Sequence, residues 1–434
     1  MSYTLQHHHG ELYWKAAAAG FMTLALLSFV SPQIGILGRG LRTTIPALIG
    51  AAIAITRLEP RAFSETIREH VITFILGVLF LAQAALRFTY ERTYAANLWH
   101  TFFDGPLITL VVLWWILAFS RLGGRPVQWL RVAFLLTWCL SLALGVPTLL
   151  DRPGVARLTM GNIFAAENAA IWAPYGVGEY TIYTSLSVCF APLLLLARHI
   201  NGWLRIPALV LVFFAAVSVI MSTFTMAALM LVVSFIGTLL IWVADGRGIG
   251  RGARAMAVIV PLALIPMLYN EAGNYRQTKF ITAKFERLYE GLTSAGLAKG
   301  DETKRGEWFV EEMEKFSQEP FLGYIPDVSG EPGHGHSSLS NSLVLFGLFG
   351  AGLWMAVLWR MFRYNWKNST AALDRWGLAI SFIVLMMAGI LNPIWHSQAT
   401  LCALFAMTVP PLEEEAEEAA EEEEEPYEAA INLN

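Results

Sequence analysis

Long apolar blocks recur along this chain and decide what it can fold into. Twelve such blocks, each of roughly 15 to 22 residues, are present. A backbone in hydrocarbon must satisfy its hydrogen bonds within its own segment, so blocks of this length form helices that cross a membrane. The sequence therefore predicts an all-α integral membrane protein with about twelve transmembrane helices. Their apolar cores lie at approximately 14–30, 41–57, 70–86, 106–120, 128–149, 179–197, 203–220, 224–243, 255–269, 340–359, 376–392 and 396–411.

The basic residues of the short loops predict how these helices are oriented. Loops rich in Lys and Arg are retained on the cytoplasmic side of a membrane. With the N-terminus inside, the arginine-rich loops at 57–68, 247–254 and 360–375 all face the cytoplasm. Both termini are then cytoplasmic, and the long segment between the ninth and tenth helices faces outward.

The chain divides into four parts on this basis. Residues 1–269 hold helices one to nine, 270–339 form the large outward loop, and 340–411 hold helices ten to twelve. Residues 412–434 form an acidic low-complexity tail, which we expect to be solvated and disordered. All three cysteines lie inside apolar blocks, so they provide neither a disulfide framework nor a metal site.

The large loop contains a predicted basic amphipathic helix at 276–288. Its cations Arg276, Lys284 and Arg287 fall on one side of a 3.6-residue wheel, and apolar residues fall on the other. Such a helix either anchors the loop on anionic lipid headgroups or binds an anionic ligand. The sequence leaves both interpretations open.

A second helix is predicted in the same loop, from about 303 to 317, and Pro320 ends it. Its apolar stripe includes Phe309. Arg305 lies in its predicted first turn, where the helix dipole disfavours a cation. That position indicates either a salt bridge with Asp301 or Glu302, or a role in binding and catalysis.

The stretch "GEPGHGHSSLSNSLVLFGLFG" joins the loop to the tenth apolar block. Ser338 or Ser340 is expected to cap the tenth helix, which leaves His336 just before its N-terminus. The partial positive charge there favours a neutral imidazole, which can take a proton from a hydroxyl. Backbone amides at the same helix end are able to hold a phosphate. Taken alone, the histidine of a glycine-rich loop is more often incidental.

These residues follow the order of a known signature. His336 and Ser337, nine further residues and "GLFG" resemble the motif of the bacterial O-antigen ligase superfamily, in which His and Asn, Ser or Gln precede Gly-x-x-Gly by nine residues. The stretch "RGEWFVEEMEKFSQEPFLGYIP" from Arg305 is similar to the helix and turn that precede this histidine. The residue-level match covers about 305 to 350, and the predicted topology extends it over the chain.

The resemblance implies a fold, a reaction and a cellular location. The fold is that of the C-type membrane glycosyltransferases (GT-C-like), in the bacterial inner membrane with a periplasmic active site. The reaction transfers a glycan from an undecaprenyl diphosphate carrier to a glycolipid hydroxyl, with His336 and Arg305 as catalytic residues and inversion at the sugar. No metal or cofactor and no nucleic acid partner is expected; the substrates and membrane lipids are the partners.

One position departs from the family pattern. The family has an arginine after a Ser/Thr-rich turn near the seventh and eighth helices, and here Thr225 is followed by Met226. Arg276, Arg287 or an arginine of the smaller outward loop at 151–180, such as Arg157, is a candidate to replace that diphosphate-binding cation.

Three functions remain open at this stage. An O-antigen ligase, acting in lipopolysaccharide biosynthesis, takes lipid A-core as its acceptor, whereas an O-antigen or exopolysaccharide polymerase takes a lipid-linked repeat. A polysaccharide transporter or flippase is the alternative from another class. Transporters commonly carry internal repeats and intramembrane charges. No repeat is apparent here and intramembrane charge is scarce, so an enzyme is favoured.

Overall fold

The computed structural model describes most of the chain between residues 67 and 408. The described residues are short stretches between 13 and 53, the positions 110, 113, 117 and 395, and the segments 67–90, 124–152, 155–159, 165–199, 205–222, 224–245, 301–324, 337–369, 372–392 and 397–408. The predicted ninth helix, the basic helix at 276–288 and the acidic tail lie outside the described residues.

The secondary structure of this described part is almost entirely helical, with no strands. We number its helices α1 to α13, and a short 3-10 turn, Ala173–Tyr175, follows α5. The helices are α1 (Pro32–Gly35), α2 (Val71–Tyr90), α3 (Gly124–Asp151), α4 (Val155–Leu158), α5 (Ala165–Trp172), α6 (Tyr180–Val188), α7 (Phe190–His199), α8 (Arg205–Met221), α9 (Thr225–Asp245), α10 (Asp301–Gln318), α11 (Ser338–Asn368), α12 (Ala372–Leu391) and α13 (Gln398–Thr408).

Several of these helices have the length and composition that a membrane span requires. In the described part, α11 and the Arg131–Asp151 portion of α3 are long and apolar enough to cross a bilayer, and the bent pair α6 and α7 makes a third if it is one span. Shorter apolar segments occur in α2, α8 and α9. The helical, apolar character predicted from the sequence is confirmed, and the number of twelve spans stays a prediction.

The sixth predicted span is not one straight helix. It is divided into α6 and α7, which are bent by 51° at Cys189. Pro192 has no N–H to donate to the Val188 carbonyl, and this missing bond is the local cause of a bend. The hydroxyl of Ser187, close to the bend, donates to the carbonyls of Tyr183 at 2.9 Å and Ala227 at 2.8 Å, which ties α6 to α9.

The core is built from apolar and aromatic side chains shared between neighbouring helices. Phe80 of α2 is fully buried, and its ring lies 5.0 Å from that of Phe346 and 5.1 Å from that of Trp354, both on α11. The indole N–H of Trp354 donates to the carbonyl of Trp395 at 3.2 Å. Van der Waals packing of these large aromatic side chains joins α2 and α11.

The bundle has two ends, which we name after the residues at either end of α11, Ser337 and Asn368. The Ser337 end holds the start of α11, the end of α12, the starts of α6 and α13, and the turn between α8 and α9, because Ser338 bonds to Asn392 and the Tyr180 ring contacts that of Phe224. The Asn368 end holds the end of α11 and the start of α2, where the rings of His70 and Tyr364 lie 4.6 Å apart.

Candidate functional site

The predicted site residues are described to different extents. Arg305 lies on α10, which begins at Asp301, two residues earlier than expected, so Arg305 belongs to the second turn of that helix and not to the first. Arg157 lies on α4 and is half-buried. The remaining four, His336, Arg276, Lys284 and Arg287, lie outside the described residues and stay predictions.

The first turn of α11 is fixed by serine side chains. Ser337 is the N-cap, since its hydroxyl accepts a hydrogen bond from the Ser340 amide at 3.4 Å; the expectation that Ser338 or Ser340 caps the helix is wrong. Ser338 joins α11 to the connection between α12 and α13. Its hydroxyl donates to the Asn392 carbonyl at 3.0 Å and accepts from the Trp395 amide at 2.8 Å. His336 therefore directly precedes Ser337, the capping residue, and lies two positions before Ser338, which is bonded to the connection between α12 and α13.

Two amides of this turn donate hydrogen bonds within the protein. The Ser338 amide donates to the Asn392 carbonyl at 3.1 Å, and the Ser340 amide donates to the Ser337 hydroxyl. A helix N-terminus binds an anion through amides that lack other partners. Two amides of this turn therefore already have partners within the protein, and the expectation that this helix end holds a phosphate stays a prediction.

Helix α10 packs alongside the start of α11. Glu312 is only 2% exposed, and its carboxylate accepts a short hydrogen bond from the Ser340 hydroxyl. A carboxylate in this place is favoured because it lies beside the positive end of the α11 dipole. The amide of Leu348 likewise donates to the carbonyl of Pro320 at 2.8 Å. Both contacts join residues 28 positions apart, so α10 runs parallel to the beginning of α11.

Helix α11 is broken at Gly347. Its backbone angles there, φ 63° and ψ −173°, lie in a region that is essentially restricted to glycine. A side chain would also collide with the backbone of Phe321 and Gly323, which approach Gly347 closely. The sequence predicts one continuous apolar core at 340–359, whereas Gly347 divides α11 into 338–346 and 348–368. The second part is about 32 Å long, enough to cross a hydrocarbon core.

The break frees backbone groups that an intact helix would bond internally. A turn at 320–324, which follows α10, supplies their partners. The bonds run from Leu348 N to Pro320 O at 2.8 Å, from Phe349 N to Phe321 O at 3.1 Å, and from Tyr324 N to Val344 O at 2.8 Å.

Gln83 of α2 completes this arrangement. Its side-chain amide donates to the carbonyls of Phe346 at 2.5 Å and Leu322 at 3.2 Å. It therefore bridges the broken helix and the loop turn, and it packs against Gly350. We call the turn 320–324, the break at Gly347 and Gln83 the Gly347 junction. The sequence signal for Gln83 was a lone amide inside the apolar block at 70–86.

Arg157 lies at the Ser337 end of the bundle. Its guanidinium carbon is 5.9 Å from the ring centroid of Phe224, in the turn between α8 and α9. The Phe224 ring is itself nearly buried and lies 5.2 Å from that of Tyr180. A cation over an aromatic face is held without losing its charge. The smaller loop thus brings an arginine to the turn that precedes Thr225, where the sequence lacks one.

A second arginine of that loop is more exposed. Arg152 is 65% exposed, forms an ion pair with Asp151 at 3.5 Å and lies 5.5 Å from the ring centroid of Trp172. Such an exposed pair contributes little to stability. Of these two arginines, the half-buried Arg157 is the one whose position is set by packing.

The Ser337 end of the described structure therefore combines three kinds of group. It has a buried carboxylate on the loop helix, a positioned guanidinium on α4, and a rigid serine-capped helix start that follows His336 in the chain. No model of a known protein family matches this chain, and no curated protein matches it. The motif that contains His336 and the geometry of the Ser337 end are therefore the features that bear on its function.

Proposed function

We propose that the protein transfers a glycan from an undecaprenyl diphosphate carrier to an acceptor hydroxyl at the periplasmic face of the bacterial inner membrane. The favoured acceptor is lipid A-core, as for an O-antigen ligase. The observation that carries the proposal is the docking of α10, which bears Arg305, onto the first turn of α11, which His336 directly precedes. The two residues of the motif thus belong to elements that are bonded to each other.

The reaction requires two tasks of the protein. The acceptor oxygen forms a bond to the anomeric carbon while the bond from that carbon to the diphosphate breaks, and the configuration inverts. His336 takes the proton of the acceptor hydroxyl as a general base. Cationic side chains stabilise the negative charge that develops on the departing diphosphate. Twelve spans with both termini in the cytoplasm are part of this proposal.

Arg157 is the proposed second cation, beside Arg305. Its guanidinium is held over Phe224, at the turn before Thr225, and a positioned arginine suits a diphosphate because its N–H groups form charge-assisted bonds to phosphate oxygens. Arg276, Lys284 and Arg287 remain predicted substrate-binding residues.

Purified full-length protein with a defined undecaprenyl diphosphate-linked glycan tests the proposal. We expect His336→Ala to lower the transfer rate by about 100-fold or more, the usual size of a lost general base. His334→Ala is the matched control, because His334 lies two residues earlier in the same glycine-rich stretch and lacks the motif spacing. Retention of the wild-type rate by His336→Ala would overturn the proposed mechanism. Reactions with and without a chelator test metal independence.

A second pair of variants tests whether Arg157 is the second cation that binds the diphosphate. Arg157→Ala is expected to lower transfer strongly, with partial recovery in Arg157→Lys, whereas Arg152→Ala keeps a near-normal rate because Arg152 is solvent-exposed. Equal effects of Arg157→Ala and Arg152→Ala would contradict the assignment of Arg157.

The acceptor arms of the same assay separate the alternatives. Transfer to lipid A-core identifies a ligase, and transfer to a second lipid-linked repeat identifies a polymerase.

The bend between α6 and α7 is the feature that favours a transporter, since broken helices line many transport sites. Against this alternative, the Cys189 amide at the bend is not available to a transported ligand, because it donates to the Ser185 carbonyl at 2.9 Å. Transport in proteoliposomes without glycan transfer would establish that third function.

A further inference from the structure

An open apolar groove lies between α2 and α11, away from the Gly347 junction. Its volume is about 250 Å³. Three sets of residues line it: Phe74, Gly77 and Leu81 of α2, Val357 and Met361 of α11, and Leu110, Leu113 and Leu117. Leu110 packs closely on Gly77, since a Cβ there would lie 3.2 Å from the Leu110 side chain. From Ile67 to Leu81 the groove runs for about 21 Å at the helical rise.

One end of this groove is positively charged. Its polar lining residues, His70 and Thr73, are at the Asn368 end, and Arg360 donates from Nε to the Thr73 hydroxyl at 2.9 Å. Arg363 and Lys367 lie one and two turns further along α11 and are exposed. Arg68 is exposed on the other side, beside the acid Glu69.

A groove of this kind matches an amphiphile with an anionic head and an apolar tail. The guanidinium of Arg360 uses Nε for Thr73, and arginine carries further N–H donors suited to phosphate oxygens. Basic clusters at the ends of spans attract anionic lipids of the adjacent leaflet. The length of the groove is comparable with one leaflet, which is about 15 Å deep.

We propose that this groove binds one anionic phospholipid. An acyl chain lies along Phe74, Gly77 and Leu81, and the phosphate lies at Arg360 with Arg363. A bilayer phospholipid fits better than the carrier lipid of the proposed reaction, because the cationic end of the groove is opposite the Ser337 end. Binding to the folded protein raises its stability by mass action. The proposal does not depend on glycan transfer.

The test uses purified full-length protein in nonionic detergent. Mixed micelles supply phosphatidylglycerol, phosphatidylcholine with the same acyl chains, or undecaprenyl phosphate. Native mass spectrometry measures bound lipid, and thermal unfolding measures stabilisation. We expect phosphatidylglycerol to bind at least about fivefold more tightly than phosphatidylcholine, in line with the attraction of one basic residue to an anionic surface. Only phosphatidylglycerol is expected to raise the melting temperature.

Two variants and a control locate the site. Arg360→Gln removes the charge and keeps a donor for Thr73, and we expect it to abolish the preference for phosphatidylglycerol. Gly77→Leu fills the groove and is expected to abolish the bound adduct. Arg152→Gln, at the Ser337 end, leaves binding unchanged. Equal binding of the two phospholipids, tighter binding of undecaprenyl phosphate, or undiminished binding by Arg360→Gln would each overturn the proposal.

Discussion

Two helices of the bundle are broken, and the breaks are closed in different ways. Between α6 and α7 the bend of 51° contains Pro192, and hydroxyls such as that of Ser187 bond within the bundle. At Gly347 the break is closed by the backbone of a distant loop turn and by Gln83. The first break shapes packing between helices. The second attaches α10 to α11, a helix long and apolar enough to cross a bilayer, and so it belongs to the proposed site.

The comparison shows what a helix break is able to do in a membrane protein. Freed backbone groups have to find partners, because unsatisfied ones are costly away from water. When neighbouring helices supply the partners, the result is a bend. When another segment supplies its backbone, the two segments become one unit.

Gly347→Ala is expected to disrupt the junction most. The alanine Cβ would meet the backbone of Phe321 in a conformation that L-residues rarely adopt, so we expect a loss of about 3 kcal/mol or more in stability. Thermal unfolding and proteolysis at 319–324 measure it. Gly352→Ala in the same helix is the control, because nothing lies within 4 Å of the added methyl group. Equal melting temperatures for the two variants would contradict the break as described.

Glu312→Ala is expected to loosen α10 from α11. It leaves the Ser340 hydroxyl without its buried acceptor, at a cost of about 1–3 kcal/mol, and transfer should fall with it. Glu312→Gln keeps an acceptor and should recover part of both. Exposed Glu314→Ala should change stability by less than about 0.5 kcal/mol. If Glu312→Ala behaves like Glu314→Ala in unfolding and in rate, the pairing with Ser340 has no role.

Gln83→Leu removes the bridge between α2 and the junction. Two hydrogen bonds to backbone carbonyls are lost, and we expect a destabilisation of about 1–2 kcal/mol with the loop turn more open to protease. Gln83→Glu tests the geometry separately, because an ionised carboxylate cannot donate to those carbonyls. A leucine variant with unchanged protease protection would show that the turn is held without Gln83.

Pro192→Ala, at the other break, is expected to have the smallest effect. Alanine supplies an N–H to the Val188 carbonyl, while Ser187 and the contacts with α9 hold the bend. The change in stability should stay below about 1 kcal/mol, and the transfer rate should be unchanged. A large loss of transfer would mean that this bend, like the Gly347 junction, contributes to the site.

Much of the helical architecture could be predicted from the sequence. The blocks at 128–149, 203–220 and 224–243 are helices, and a turn at Ser222 separates the last two. The loop helix was expected at about 303–317 and is α10. Apolar length and Pro320 carry these predictions because each acts locally on the backbone.

The details of the site depended on contacts that sequence patterns do not report. Glu312 looked like one of several acids on a polar helix, and Gln83 like a lone amide in an apolar block. Each is defined by a partner more than 25 positions away in the chain. Arg157 was one of several candidate cations, and its contact with Phe224 distinguishes it.

By itself the sequence determined an apolar helical chain, its loop helix, and the order of Arg305, His336 and Gly347. These follow from the local cost of burying an unbonded backbone and from spacing along the chain. Only the tertiary structure decided that Gly347 breaks α11, that Ser337 caps it, and that α10 runs parallel to its start. Those outcomes depend on which distant groups are close enough to bond, and that is a property of packing in three dimensions.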